Sequence, residues 1–273
     1  MIIDGHVHIW NVRYPNLGRE PFTAEDLIRH MDGPFTLEGK TLRVDRALTQ
    51  PRPLPAGNPG DDAHNYVVES VAKHSDRLIG CAIINPMQDL DHSLDSLEDL
   101  VKNRGFRALK LHPAVHRYRP DEKSVRTRIL SKVFEKTLRL RIPLLIHTGD
   151  PLTSEPSRMA PIIEDFPEQP VILCHLGTQN ISYSTDAVYV AKKNPNVWVE
   201  SEPAFHPRLK EAVEALGANR IVYATDCPAL DMWASVTRLY SLKAAPPLGV
   251  GLSQEEVDQI LGLNMARLLG LKT

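Results

Sequence analysis

The chain reads as an α/β protein whose single domain, residues 1–273, is a (β/α)8 barrel. Three observations predict this. Eight short runs rich in Val, Ile and Leu recur along the sequence, and segments of helical period separate most of them. The 273 residues, 42% hydrophobic, suffice for one large core. Strands alternating with helices imply a parallel sheet covered by helices, and closing eight such units gives a barrel of about this length. A doubly wound open sheet is the alternative. It usually carries a glycine-rich phosphate loop after its first strand, and none follows here.

The first strand is IIDGHVHI (2–9) and the second VDRALTQ (44–50). The Pro-rich stretch TQPRPLPAGNPG (49–60) then reads as a loop at the end of the barrel where such loops carry function. DDAHNYVVESVAKH (61–74) aligns Ala63, Val67, Val71 and Ala72 along one helical stripe and leads into LIGCAIIN (78–85). DHSLDSLEDLVKN (91–103) repeats Leu94, Leu97, Leu100 and Val101 before the strand RALKLH (107–112). SVRTRILSKVFEKTLRL (124–140) carries Ile129, Leu130, Val133, Phe134 and Leu138 on one face and precedes IPLLIHT (142–148). PVILCHL (170–176), NVWVES (196–201) and RIVYATD (220–226) complete the eight. HPRLKEAVEALG (206–217) ends on a glycine suited to a C-cap. SQEEVDQILGLNMARLLG (253–270) opens with the capping box Ser253/Glu256.

A net charge of −2 argues against a dedicated nucleic-acid binder, and no apolar run is long enough to span a membrane. Between Lys102 and Arg141, thirteen Lys/Arg stand against three Asp/Glu, which is expected to be the solvated face of a long helix. The three cysteines, Cys81, Cys174 and Cys227, are far apart, and strand-like residues begin at Ile2. Both features point to a cytoplasmic protein without a disulfide framework.

Strands in a parallel barrel are buried on both faces, so polar residues inside them are costly without a purpose. They nevertheless collect at the strand ends. His6 and His8 end the first strand, and their i, i+2 spacing puts both on one face. Lys110 and His112 end the fourth with the same spacing, His147 the fifth, His175 the sixth, Glu200 the seventh and Asp226 the eighth. These ends converge at the C-terminal mouth, where barrel active sites form. Imidazole nitrogens with carboxylate oxygens suit Zn²⁺ first, and also Mn²⁺, Fe²⁺ or Co²⁺. By strand alternation, Cys174 and Cys227 are expected to face the helices as core thiols rather than ligands. Asp4, one step below His6 on the same parity, is expected to buttress it.

HVH, KLHP, IHTG, CHLG and TDCP, in that order, resemble the amidohydrolase superfamily. Within it they resemble the amidohydrolase-related branch that holds aminocarboxymuconate-semialdehyde decarboxylase and many metal-dependent hydrolases. Residues 65–86 and 260–271 resemble the same branch, so the likeness runs from end to end. The resemblance implies one divalent metal held by His6, His8, His147 and Asp226, with Asp226 also the general base and His175 beside the metal. Other branches carboxylate a strand-four lysine to bridge two metals, whereas this branch typically uses one. Lys110 is therefore taken as a catalytic contact, with His112 beside it on the substrate.

The leading expectation is hydrolysis of a small amide, lactone or ester by a metal-activated water. The alternative is non-oxidative decarboxylation of an aromatic or unsaturated acid, with Arg52 holding the carboxylate. The chain looks short for such decarboxylases, which tilts the expectation towards hydrolysis. A barrel that has lost catalysis and only binds a partner is the third reading. Trp10, Arg13, Tyr14, Trp198, Phe205 and Trp233 are the residues available to line a pocket for a flat ring. The resemblance gives a mild preference for a homodimer.

Overall fold

The computed structural model describes residues 1–13, 20–53 and 61–272. Tyr14 and most of the Pro-rich loop, residues 54–60, lie outside them. All eight barrel strands form where the apolar runs predict them. They are β1 (Ile3–His8), β4 (Arg46–Gln50), β5 (Leu78–Ile83), β6 (Phe106–Leu111), β7 (Leu144–His147), β8 (Val171–Cys174), β9 (Val197–Glu200) and β10 (Ile221–Val222). They pair in parallel in chain order. The ring closes from β10 back to β1 through the Gly5 N–H to the Tyr223 carbonyl (2.9 Å) and the His8 N–H to the Cys227 carbonyl (2.9 Å). A short hairpin, β2 (Phe35–Leu37) and β3 (Lys40–Leu42), stands apart from the barrel.

Helices α1 (Ala24–Met31), α2 (Asp61–Lys73) and α3 (Leu90–Asn103) cover the first half, and α4 (Pro113–His116) is a single turn after β6. The predicted segment 124–140 is one helical run, α5 (Lys123–Val125) and α6 (Ser131–Leu140) joined by a π-helical turn. Next come α7 (Ala160–Asp165), α8 (Ile181–Lys193), α9 (His206–Leu216) and α10 (Met232–Ser241). The predicted last helix forms as α11 (Gln254–Asp258) and α12 (Asn264–Leu268) across a second π turn, with its Ser253/Glu256 capping box present. None of the described helices is long and apolar enough to cross a membrane. The basic run 102–141 is not the face of one helix but spans the end of α3, β6, α4 and the α5–α6 run. Six of its thirteen cations meet acids: Lys102 and Lys136 meet Glu98, Arg104 meets Asp99, Arg119 meets Asp121, Arg126 meets Asp165 and Lys132 meets Asp91.

Two apolar layers result. The larger lies between strands and helices. The smaller, including Ile3, Leu48, Ile79, Ala108, Leu145, Ile172 and Val222, fills the barrel, with Met265 and Leu269 of the C-terminal helix packed against it. Full burial of one such side chain is worth roughly 1.5–3 kcal/mol, so the interior is a packed core and not a pore.

Two details of register decide which side chains reach the mouth. The β1–β4 register slips between Asp4 and Val7, which is a β-bulge at Gly5–His6. Ile3 therefore faces inward, alternation resets, and His6 and His8 face inward above it. The second concerns β8, which ends at Cys174. His175 begins a 3-10 turn with φ +68, and Leu176 follows at φ +44.

Two expectations are corrected here. Cys174 packs in the inner cluster, not against the helices, because alternation cannot be carried past the end of β8. Cys227 does pack in the outer layer. Asp4 does not support the His6 ring, because the bulge separates their parities. Its carboxylate instead takes the His6 backbone N–H (3.1 Å), the Thr225 N–H (3.0 Å) and the Thr225 hydroxyl. It thus ties the start of the HVH segment to the turn that presents Asp226.

Candidate metal centre

At the mouth, His6 Nε2, His8 Nε2 and Asp226 Oδ1 converge. The two nitrogens are 3.2 Å apart, and the oxygen lies 3.5 Å from His6 and 3.2 Å from His8. The far side of each ring fixes its tautomer. His8 Nδ1 is 2.8 Å from the Pro51 carbonyl, which can only accept, so Nδ1 carries the hydrogen. His6 Nδ1 is 2.9 and 3.2 Å from the two Glu200 oxygens. Burial works against the Glu200 carboxylate, but His6, His175 and Lys110 outweigh it and hold Glu200 ionised. His6 is itself driven towards the neutral form by burial. Two imidazole lone pairs and a carboxylate oxygen therefore face one point. Lys110, 3.4 Å from His6 Nε2, is the nearby donor. Three acceptors converging in a buried pocket fit a cation, and neutral imidazole with carboxylate fits a divalent metal.

Asp226 sits at φ +57, in the left-handed region that costs a non-glycine residue strain. The strain is held by its flanks: Thr225 is clamped by Asp4, and the Asp226 carbonyl accepts the Ala229 N–H at 2.8 Å. Its carboxyl is held well below the ordinary carboxylate range, since the nearby histidines outweigh the effect of burial.

The remaining predicted residues gather around this group. A cavity of about 270 Å³ is lined by His6, His8, Lys110, His112, His147, His175 and Asp226, and by Arg52 on its rim. His147 enters neither three-residue cluster of metal-type donors found among the described residues. Its Nε2 lies 2.6 Å from Asp150 Oδ2, so Nδ1 is the ring nitrogen outside that contact. Its ring stacks on His112 (3.7 Å between centroids, 15°) and meets His175 edge-on at 4.8 Å. His175 groups with His6 and Glu200, its Nδ1 lying 3.6 Å from Glu200. Lys110 is buried and donates to Cys174 Sγ at 2.8 Å. Burial opposes its charge, but the hydrogen bond to Cys174 and the carboxylates of Glu200 and Asp226 favour the ammonium. Burial also pushes the Cys174 thiol well up, so the contact is an ammonium donating to a thiol. Arg52 lies over the Trp10 ring, 5.0 Å from its centroid, and is not a free loop charge.

Of the aromatic residues proposed for a flat-ring pocket, the described ones, Trp10, Trp198, Phe205 and Trp233, do not line this cavity. Trp10 packs on Phe22, Trp233 stacks on Phe35, and Trp198 donates to the Asn219 carbonyl. A larger depression of about 710 Å³, lined by Phe22, Arg29 and Asp231 among others, adjoins the site across Pro228 and Ala229.

Glu200 and Asp150 are the residues that strand-end reasoning did not assign. Glu200 stood at a strand end like the others. The signal was there, because a carboxylate inside a buried strand needs partners.

The sequence profile of the amidohydrolase family matches residues 3–271. No curated protein matches the chain. Among solved structures, a 2,6-dihydroxybenzoate decarboxylase complexed with 2,6-dihydroxybenzoate superposes with a TM-score of 0.73 at 15% identity, covering 99% of both chains. A 5-carboxyvanillate decarboxylase from Novosphingobium aromaticivorans, complexed with manganese and a nitrobenzoic acid, gives 0.71 at 14% identity over 99% of this chain and 96% of that one. A 4-oxalomesaconate hydratase from Rhodopseudomonas palustris gives 0.66 at 17% identity, again over 99% and 96%. These alignments run nearly end to end along each of the chains. The match over residues 3–271 places the chain in the amidohydrolase family, as a metal-dependent enzyme of that superfamily.

Proposed function

We propose that the chain is a metal-dependent decarboxylase of small aromatic or unsaturated carboxylic acids. The observation that carries this reading is that Arg52 lines the same small cavity as the metal-type donor set. A guanidinium is the natural partner of a substrate carboxylate. The cavity volume of about 270 Å³ suits a single ring or a short chain.

His6, His8 and Asp226 would hold the metal, zinc first among the divalent candidates, and His147 would complete the set through Nδ1. When bound, the ion would supply Lewis-acid polarisation of a substrate oxygen. Arg52 binds and orients the carboxylate. Lys110, an ammonium on the cavity floor, supplies the proton to the substrate carbon. The carbon–carbon bond then breaks and CO₂ leaves, so R–CO₂⁻ and H⁺ become R–H and CO₂. His175 helps to exclude water beside the donors.

Hydrolysis is the second reading, favoured by the state of Asp226. Its side chain is 28% exposed at the mouth, where its carboxylate can accept a hydrogen bond from an attacking water and orient it. In that reaction His175 and Lys110 would steady the developing oxyanion.

The test is one panel on metal-loaded protein: CO₂ release from small aromatic and unsaturated acids, beside turnover of lactones, esters and amides. Decarboxylation predicts CO₂ release, abolished by Arg52→Met. Turnover confined to the lactone, ester and amide arm would replace this reading with hydrolysis.

A further inference from the structure

We propose that His112 is a fixed neutral hydrogen-bond donor that contacts a carboxylate or carbonyl oxygen of the substrate, with its tautomer set by the turn of helix that follows it. The contact to substrate rests on the reading of the cavity above; the tautomer does not.

His112 follows β6, and Pro113 begins α4 at the next residue, so His112 is the residue that caps that turn. The Val115 N–H points back at the imidazole and donates to Nδ1 at 3.2 Å. A backbone N–H can only donate, so Nδ1 must present its lone pair. The hydrogen of the neutral ring is then on Nε2. Protonating the ring would place a second hydrogen on Nδ1 against the Val115 N–H and break the cap. The face-to-face stack on His147 fixes the plane of the ring.

The result is a rigid donor in the wall of the cavity that Arg52 also lines. A neutral imidazole held at the start of a helix can polarise an oxygen without becoming an acid itself. Arg52 and His112 together make an acceptor-rich ligand, such as a carboxylate beside a carbonyl or hydroxyl, the natural occupant.

Two variants divide the roles of the ring. His112→Asn keeps an oxygen where it caps the Val115 N–H but is too short to replace Nε2–H. His112→Gln reaches the Nε2 position with an amide donor and is a poor cap. With the best panel substrate, Asn is expected to lose roughly 10- to 100-fold in kcat/KM with an unchanged melting temperature, as for a lost hydrogen bond worth about 1.4–2.7 kcal/mol. Gln is expected to retain more activity while melting lower. Wild-type kcat/KM in the Asn variant would overturn the substrate contact.

The tautomer is read separately, by two-bond ¹⁵N–¹H NMR on zinc-loaded, ¹⁵N-histidine-labelled protein. His112 should show a bare Nδ1 and a protonated Nε2 from pH 6 to 8, and its Nε2–H should shift as benzoate saturates the site. A protonated Nδ1 would overturn the assignment, and so would an Nε2–H that benzoate leaves unmoved. Because the tautomer is read without turnover, failure of the decarboxylase reading would show in the panel and not in this spectrum.

Discussion

Replacing Glu200 with glutamine isolates the carboxylate that stands behind the metal-type donors. Glu200 is fully buried and accepts from His6 Nδ1 at 2.9 and 3.2 Å and from the His175 backbone N–H at 2.8 Å. Glutamine keeps the volume but turns one oxygen into an NH₂ group. If that group faces His6, Nδ1 must accept and the ring hydrogen moves to Nε2, where it points at His8 and Asp226. If it faces His175, two N–H donors meet. Either arrangement costs a hydrogen bond or the ligand tautomer when metal binds. Losses of this kind typically lower metal affinity 10- to 100-fold, about 1.4–2.7 kcal/mol. Because the buried negative charge is removed as well, the fold should tolerate the change better than it tolerates Glu200→Ala, which leaves both N–H groups unpaired. The assay is titration of metal-free protein with Zn²⁺ against a competing chelator. An affinity within twofold of wild type would refute the claim that Glu200 sets the His6 tautomer.

Other perturbations probe the turns and the surroundings of the site. Gly177 sits at φ +69, and a Cβ there would overlap the Tyr183 carbonyl, so Gly177→Ala should destabilise by about 1–3 kcal/mol in chemical unfolding. Because Gly177 closes the turn that carries His175, activity should fall too; wild-type stability would contradict the backbone account. His116 is buried in α4, and burial lowers its pKa from 6.5 to about 4. Between those values the unfolded chain binds the proton and the native chain does not. Stability should therefore be fully present above pH 6.5 and fall on acidification towards pH 4, by an amount on the order of 3 kcal/mol. His116→Gln should flatten that part of the pH–stability curve, and an unchanged curve would show that the ring titrates normally.

The fold was legible because parallel strands buried on both faces leave continuous apolar runs, and all eight were visible. The ends of the strands were less so. The 220–226 run contracts to Ile221–Val222, since its last residues turn out of the ladder to present Asp226 at positive φ. Helices α8 and α10 went unassigned, being rich in Ser, Thr, Tyr and Ala rather than striped with Leu. Of the site, His6, His8 and Asp226 share one donor cluster, and Lys110, His112, His147, His175 and Arg52 share one cavity with it, as their places at strand ends and in the adjoining loop suggested. Two things depended on local backbone that alternation cannot foresee. The bulge at Gly5–His6 left Asp4 out of the histidine row, and the turn at His175 put Cys174 under Lys110. The pairing of Glu200 with His6 links residues 194 apart, and only the closed barrel brings them together.

The central claim, that His6, His8 and Asp226 hold a catalytic metal, is tested most directly by metal analysis of protein purified without added metal, with activity measured on the same samples. The account predicts about one equivalent of divalent metal per chain in the wild type, with metal and turnover lost together in His8→Ala. Turnover by protein shown to be free of metal would contradict it.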